Sequence, residues 1–108
     1  HFARHLRRMR ALYEKRQHFL INEVEKELSD LLKVSKTPSG MHLVAQLAEG
    51  FDELKIAEKA FRKGLHLSPL SAYCIENKLP AGFVLGYTGF DEKQIKQGIR
   101  KIKETFRD

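Results

Sequence analysis

The sequence has little of what secreted and membrane proteins depend on. Its one cysteine, Cys74, cannot form an internal disulfide, which agrees with a reducing compartment. No stretch approaches the about 18 uninterrupted apolar residues that a membrane-spanning helix needs. The first residues, 1–5, lack the apolar region of a signal peptide. We therefore predict a cytoplasmic protein without a membrane partner.

The sequence also lacks the compact motifs of catalysis and metal binding. It contains neither a Gly-x-Gly-x-x-Gly nor a Walker pattern. Of its five histidines, only His1 and His5 share a helical face, and no carboxylate or cysteine joins them at ligand spacing. Ser68 has no base placed beside it and is expected at a strand end rather than in a catalytic role. We predict no catalytic residue and no metal site.

The positive charge is concentrated at one end of the chain. The net charge is +6 over 108 residues. Residues 1–18 hold six basic residues against one acidic residue, whereas the remainder is nearly balanced. A basic helix without aromatic stacking residues or a reading motif is weak support for nucleic-acid binding. We expect a solvated or partner-facing flank and no sequence-specific DNA binding, with a phosphate-binding stripe at Arg4, Arg7 and Arg8 as the alternative.

Hydrophobic periodicity predicts three helices and up to four strands. The helices are expected at 3–30, 52–63 and 91–106, and the strands at 31–34, 41–47, 65–68 and 83–88. The last strand is nearly all apolar, so we predict that both of its faces are covered. The middle helix is predicted to bury three apolar residues, Leu54, Ala57 and Phe61.

Local sequence signals mark the ends of two of these helices. Asp52 and Asp91 are predicted N-caps, with Gln94 completing a capping box after Asp91. Gly64 is a predicted left-handed residue just beyond the middle helix. The order of elements predicts an α+β two-layer sandwich formed by residues 1–108. It has a long N-terminal helix, a mixed sheet of three or four strands, and helices mainly on one face.

The segment 69–81 has no clear period, and loops of this length are often functional. Ser68, Ser71 and Tyr73 make it the best place to look for ligand contacts.

Three segments together resemble the C-terminal part of MocR/GabR-type regulators. They are His1 to Tyr13, Gly40 to Val44, and Pro69 to Tyr73 taken with Leu85-Gly86-Tyr87. These regulators are GntR-family transcription factors whose effector domain is similar to pyridoxal-phosphate-dependent aminotransferases of fold type I. The resemblance implies that 1–108 is the small C-terminal subdomain of a larger, dimeric protein. Its large cofactor-binding domain and its DNA-binding domain would lie elsewhere.

The resemblance also has consequences for individual residues. In the family the cofactor is bound covalently by a lysine of the large domain, so no cofactor is expected on this segment. Many aminotransferases carry an arginine where this sequence has Val84, and that arginine grips the substrate carboxylate. Ser71 and Tyr73 match family positions and are expected to line the ligand entrance, with a role in the turn alone as the alternative. His42 also matches a family position and is expected to be packed rather than to act as an acid or base.

The leading interpretation is part of a transcriptional regulator that senses a small amine or amino acid. One rival is part of a catalytic class I/II aminotransferase, because the sequence does not decide whether the parent is an enzyme. A second rival is a free-standing basic interaction module.

Overall fold

A computed structural model of the chain describes residues 2–37, 42–73 and 81–107. The elements in chain order are α1 (Phe2–Leu28), β1 (Leu32–Lys36), β2 (His42–Leu47), α2 (Glu53–Arg62), β3 (Ser68–Pro69), β4 (Gly82–Gly86) and α3 (Glu92–Arg107). A short 3₁₀ helix, Leu70–Tyr73, follows β3. The predicted α+β class is confirmed, whereas the first residue of the strand predicted at 41–47 lies outside the described residues.

The four strands form one sheet in the order β1-β2-β4-β3. The central pair, β2 and β4, is antiparallel and sets Leu43 opposite Leu85 and Ala45 opposite Phe83. All four of these side chains are buried. Because side chains alternate along a strand, this register collects the apolar residues on one face of the sheet.

The predicted mixed sheet is wrong, because each of the three strand pairs is antiparallel. Strands β2 and β3 do run in the same direction and are joined through α2, as in a parallel β-α-β unit. However, β4 lies between them, so each of the two strands meets an antiparallel neighbour. The prediction that β4 is covered on both faces is also wrong, since Val84 points away from the buried face and is only half-buried.

The helices pack on the apolar face of the sheet, as predicted. The buried residues of the three helices that join this core are Leu20, Val24 and Leu28 from α1, Ile56 and Ala60 from α2, and Ile95, Ile99 and Ile102 from α3. Two hydrogen bonds fix α1 to the turn after β4. Arg16 Nη1 donates to the carbonyl oxygen of Thr88 at 2.7 Å, and Gln17 Nε2 donates to Tyr87 Oη at 3.0 Å. From Gln17 onward, α1 is therefore part of the core.

The part of α1 before Tyr13 lies outside this core, and Tyr13 packs against it. Phe2 is 76% exposed, and Leu6 and Leu12 are exposed as well. The helix is continuous over 27 residues, about 40 Å at 1.5 Å per residue. Among the described helices, none combines the length and the apolar character needed to cross a membrane.

The helix ends follow the predicted signals. Asp52 Oδ1 accepts the backbone N–H of Leu54, and Asp91 and Gln94 exchange backbone-to-side-chain hydrogen bonds of 2.9 and 2.8 Å. Gly64 has φ +83°, its N–H donates to Phe61, and the next N–H along the chain donates to Ala60. That pair of bonds is a Schellman motif, which ends α2 in the predicted left-handed residue.

The predicted buried face of α2 is wrong for Leu54 and Phe61, whereas Ala57 does pack against the core. Leu54 is 61% exposed and Phe61 is 70% exposed, while Ile56, Ala60 and Glu53 face inward. The orientation follows from Glu53, whose carboxylate accepts hydrogen bonds from backbone groups outside the helix. Turning Leu54 inward would remove that acceptor from two N–H groups.

The third strand also differs from the prediction of 65–68. Residues 65–67 are not paired, and β3 is limited to Ser68 and Pro69, opposite Val84 and Phe83. Leu65 still donates its N–H to the end of α2, so it is unavailable to a strand. Pro69 has no N–H to donate, and an edge strand tolerates this.

Substitution of two glycines by alanine is expected to change stability in opposite directions. A Cβ on Gly82 would overlap the carbonyl oxygen of Ala45 in the neighbouring strand, whereas a Cβ on Gly98 in α3 would meet only Leu65 Cδ1 at 4.0 Å. We expect Gly82→Ala to lower the free energy of unfolding by about 1–3 kcal/mol through overpacking. Gly98→Ala is expected to raise it by roughly 0.5–1 kcal/mol through helix propensity. Urea unfolding followed by circular dichroism measures both, and equal effects would contradict the close approach at Gly82.

Candidate functional site

The face of the sheet opposite the helices, called here the open face, carries the predicted Val84. Val84 lies directly across from Val44 on β2 and from Ser68 on β3, and Ser35 on β1 lies across from Val44. These four residues form one row across the sheet, with two valines at its centre and a serine at each end. Among the described residues, this row offers a small apolar contact surface with hydroxyl groups beside it.

Residues with small side chains keep this surface shallow. Strand β4 has glycine at both of its other positions on the open face, Gly82 and Gly86. His42 is paired with Gly86, and its Cδ2 lies 3.7 Å from the position that a Cβ of Gly86 would occupy. The His42 side chain is exposed, so its ring lies at the surface next to the row of Val44 and Val84. The expectation of a packed histidine is wrong.

A buried carboxylate at the start of α2 positions the predicted ligand-contact segment. Glu53 Oε1 accepts the N–H of Ser71 at 3.2 Å, and Oε2 accepts the N–H of Gly82 at 2.8 Å. One side chain thus ties the 3₁₀ helix to the beginning of β4. Sequence analysis missed Glu53, because an acidic residue in the first helical turn is usually explained by the helix dipole alone.

The predicted site residues are only partly brought together. Val84 is at the centre of the open face, with Ser68 as its neighbour. Ser71 is exposed on the 3₁₀ helix, and its backbone shares the Glu53 carboxylate with the strand that carries Val84. The Tyr73 side chain and Cys74 lie outside what the structure describes. Within the described residues, no three His, Cys, Asp or Glu side chains are grouped closely enough to hold a metal ion.

A second surface, called here the basic groove, lies between α1 and α3 on the opposite side of the molecule. It encloses about 430 Å³ and is lined mainly by charged residues, namely Glu23, Lys26, Glu27, Lys96, Arg100, Lys103, Glu104 and Arg107. Lys103 Nζ donates to Glu27 Oε2 at 2.9 Å and joins the two helices. The hydrogen bond from Lys103 and its charge lower the pKa of Glu27, with smaller contributions from Lys26 and Arg100.

Comparisons with known proteins show what this chain is similar to. No family model matches the chain. The chain is 34% identical over 106 residues to the probable rhizopine catabolism regulatory protein MocR of Rhizobium meliloti. It is 28% identical, again over 106 residues, to the uncharacterized HTH-type transcriptional regulator YdeL of Bacillus subtilis. Each match covers 98% of this chain but only 22% and 23% of the relative.

Solved structures that resemble the chain include aminotransferases. The kynurenine aminotransferase of Pyrococcus horikoshii, solved with PMP, superposes with a TM-score of 0.84 at 27% identity over 97% of this chain and 26% of that one. The chain is therefore similar, over nearly its whole length, to a segment of MocR and to part of an aminotransferase fold. The α-aminoadipate aminotransferase LysN of Thermus thermophilus has a TM-score of 0.86 at 17% identity, over 98% of this chain and 27% of that one, and supports the fold alone.

The match extends through the elements that form both surfaces. Coverage of 97–98% includes α1, the sheet and α3, so the open face and the basic groove belong to the shared fold. The segment nevertheless spans only about a quarter of each enzyme chain.

Glu53→Gln tests the carboxylate that ties the 3₁₀ helix to β4. A glutamine has one acceptor oxygen, so either Ser71 N–H or Gly82 N–H loses its partner, at a cost of about 1–3 kcal/mol in the free energy of unfolding. Faster amide hydrogen exchange is expected at those two positions. Glu58→Gln, on the exposed side of the same helix, is the control and should change stability by less than about 0.5 kcal/mol. Equal losses in the two variants would contradict a positioning role for Glu53.

Lys103→Gln tests the contact between α1 and α3. We expect the pKa of Glu27 to rise toward its ordinary value, because its main stabilising partner is removed. Since folding lowers this pKa, the interaction stabilises the fold above the pKa of the unfolded carboxyl and is lost as pH falls through the folded pKa. Carboxyl ¹³C NMR titration measures the change, and Lys55→Gln on α2 serves as a control that should leave Glu27 unaltered.

Proposed function

We propose that this chain is the C-terminal effector segment of a cofactor-dependent, aminotransferase-like transcriptional regulator. The observation that carries the proposal is the match of nearly the whole chain to MocR and to HTH-type regulators, combined with an aminotransferase-type small-domain fold. In this proposal residues 1–108 are one subdomain of a homodimeric parent. Other parts of the parent supply the large domain and the DNA-binding domain.

The open face supports a role as the wall of a ligand site. Its central pair, Val44 and Val84, offers apolar contact, and Ser68 offers a hydroxyl group beside it. Ser71, on the 3₁₀ helix held by Glu53, adds a second polar group. We propose that this surface closes over a small amine or amino acid, with Tyr73 as a further contact.

Val84 argues against the usual recognition of an α-carboxylate on this strand. A carboxylate is held most strongly by a paired, charge-assisted contact with a guanidinium group, and an apolar side chain provides no such contact. The directly paired neighbours of Val84 are also uncharged, being Val44 and Ser68. The ligand's charged group must therefore be bound elsewhere, or the ligand carries no carboxylate at that end.

The central row of the open face does not fit a self-contained site for pyridoxal phosphate. Such a site needs a lysine for covalent attachment and a charged partner for the pyridine nitrogen. The described row at the centre of this face consists of two valines and two serines. We propose that the parent binds pyridoxal phosphate through its large domain, and that this segment contributes to closing the ligand site.

The rival from another class is the corresponding part of a catalytic aminotransferase. An aromatic-amino-acid aminotransferase of Thermococcus litoralis is 28% identical over 105 residues, so sequence similarity does extend to enzymes. The regulator is favoured because MocR has the higher identity. The valine at position 84, where the resemblance implies an arginine in many aminotransferases, also supports it. A helix-turn-helix segment upstream in the parent, and DNA binding that responds to an amine, would support the regulator. Rapid turnover of amino acids would support the enzyme.

Val84→Arg in the full-length parent tests the proposed ligand-facing role. The new guanidinium group should raise affinity for amino acids over amines without a carboxylate by about 10-fold or more, because hydrogen bonds between charged groups contribute about 1.5–3 kcal/mol. A panel of amino acids and matched amines, titrated by calorimetry, measures that ratio. Ser35→Arg is the matched control, since it adds the same charge to the open face two strands away. An equal change in both variants would place the ligand site elsewhere.

A further inference from the structure

The basic groove between α1 and α3 is a second candidate binding surface. Four of its cations come from one flank of α3, at Lys96, Arg100, Lys103 and Arg107. Their spacing of four, three and four residues keeps them on the same side of the helix, over about 17 Å of its length. This row is distinct from the buried row of α3, which packs on the sheet.

The described lining of the groove holds five cations and three carboxylates, which leaves an excess of two positive charges. Glu27 forms an ion pair with Lys103, while no ion pair within the described ranges involves Lys26, Lys96, Arg100 or Arg107. The two other carboxylates of the groove, Glu23 and Glu104, leave an excess of cations along its walls. The groove therefore attracts anions, and its length favours an extended anion over a compact one.

The outer flank of α1 extends the same charge. Arg4, Arg8, Lys15 and Lys26 recur at intervals of four, seven and eleven residues, which keeps them on one side of the helix. The first three are exposed, and Lys26 is also a wall of the basic groove. Together the two helices carry a basic surface more than about 30 Å long at 1.5 Å per residue.

We propose that this basic surface binds the phosphate backbone of double-stranded DNA without reading its sequence. A duplex carries about one negative charge per 1.7 Å of axis, so an extended row of cations meets several phosphates at once. The described residues along the groove include no aromatic stacking group, which favours a duplex over the unpaired bases of a single strand. The choice of DNA among linear polyanions rests on the regulator function proposed above.

The surface lies on the helix side of the sheet, away from the open face. Ligand binding at the open face and DNA binding at the helices therefore do not compete for the same side chains. In a regulator, such a contact would add affinity for DNA near the operator while a separate domain supplies sequence specificity.

The test uses the 108-residue chain and a duplex DNA of arbitrary sequence, with fluorescence anisotropy read at several salt concentrations. We expect the logarithm of the association constant to fall linearly with the logarithm of the salt concentration. The slope should be the same for duplexes of unrelated sequence. Lys96→Gln/Arg100→Gln should lower the magnitude of that slope by about 1.8, because two phosphate contacts are lost. Glu104→Gln should tighten binding, since it removes a negative charge from the groove.

Lys36→Gln/Lys55→Gln is the matched control, because it removes the same total charge from two exposed positions outside the groove. Circular dichroism establishes that each variant remains folded. An equal loss of DNA affinity in both double variants would show an effect of net charge alone and overturn the proposal. Binding to anionic phospholipid vesicles in preference to DNA would also overturn it. Neither result bears on whether the parent binds its operator through another domain, so the regulator proposal is tested separately.

Discussion

The pairing of β2 with β4 is the constraint on which the other features depend. It sets Leu43 against Leu85 and Ala45 against Phe83, so that the apolar residues of both central strands share one face. A shift of one residue would move them to the other face. Each helix then has only one surface on which to bury its apolar residues, and all three occupy it. The open face is a direct consequence of this register, and it is where Val84 and Val44 meet.

The antiparallel character of the sheet also follows from the position of β4. The chain passes from β2 through α2 to β3, and these two strands run in the same direction. They are not neighbours in the sheet, because β4 lies between them. The Glu53 carboxylate holds the 3₁₀ helix to the start of β4. Residues that sequence analysis linked to ligand contact therefore depend for their position on a side chain from a different element. That dependence makes Glu53 a positioning residue of the open face.

Local features of the sequence were predictable because they rest on interactions between near neighbours. The caps at Asp52, Asp91 and Gly64 and the isoleucine row of α3 need only a few consecutive residues to be recognised. The buried face of α2 was not predictable in this way. Counting apolar residues favoured Leu54 and Phe61, whereas the deciding contacts reach from Glu53 to residues 18 and 29 positions away. The mixed sheet failed for a similar reason, since strand order depends on contacts between distant segments.

The packed core holds the sheet, which carries the open face, in a fixed position relative to α1 and α3, which carry the basic surface. Gln17 reaches Tyr87, Arg16 reaches Thr88, and Lys103 reaches Glu27, so α1 is attached both to the turn after β4 and to α3. Close-packed interiors of this kind move as units rather than deforming continuously. A rotation that closes the open face over a ligand must therefore turn the basic groove through the same angle. A surface that holds DNA phosphates would then be displaced by ligand binding without any contact between the two sites, and the rigidity of the α1–sheet–α3 packing would determine how much of the motion is transmitted.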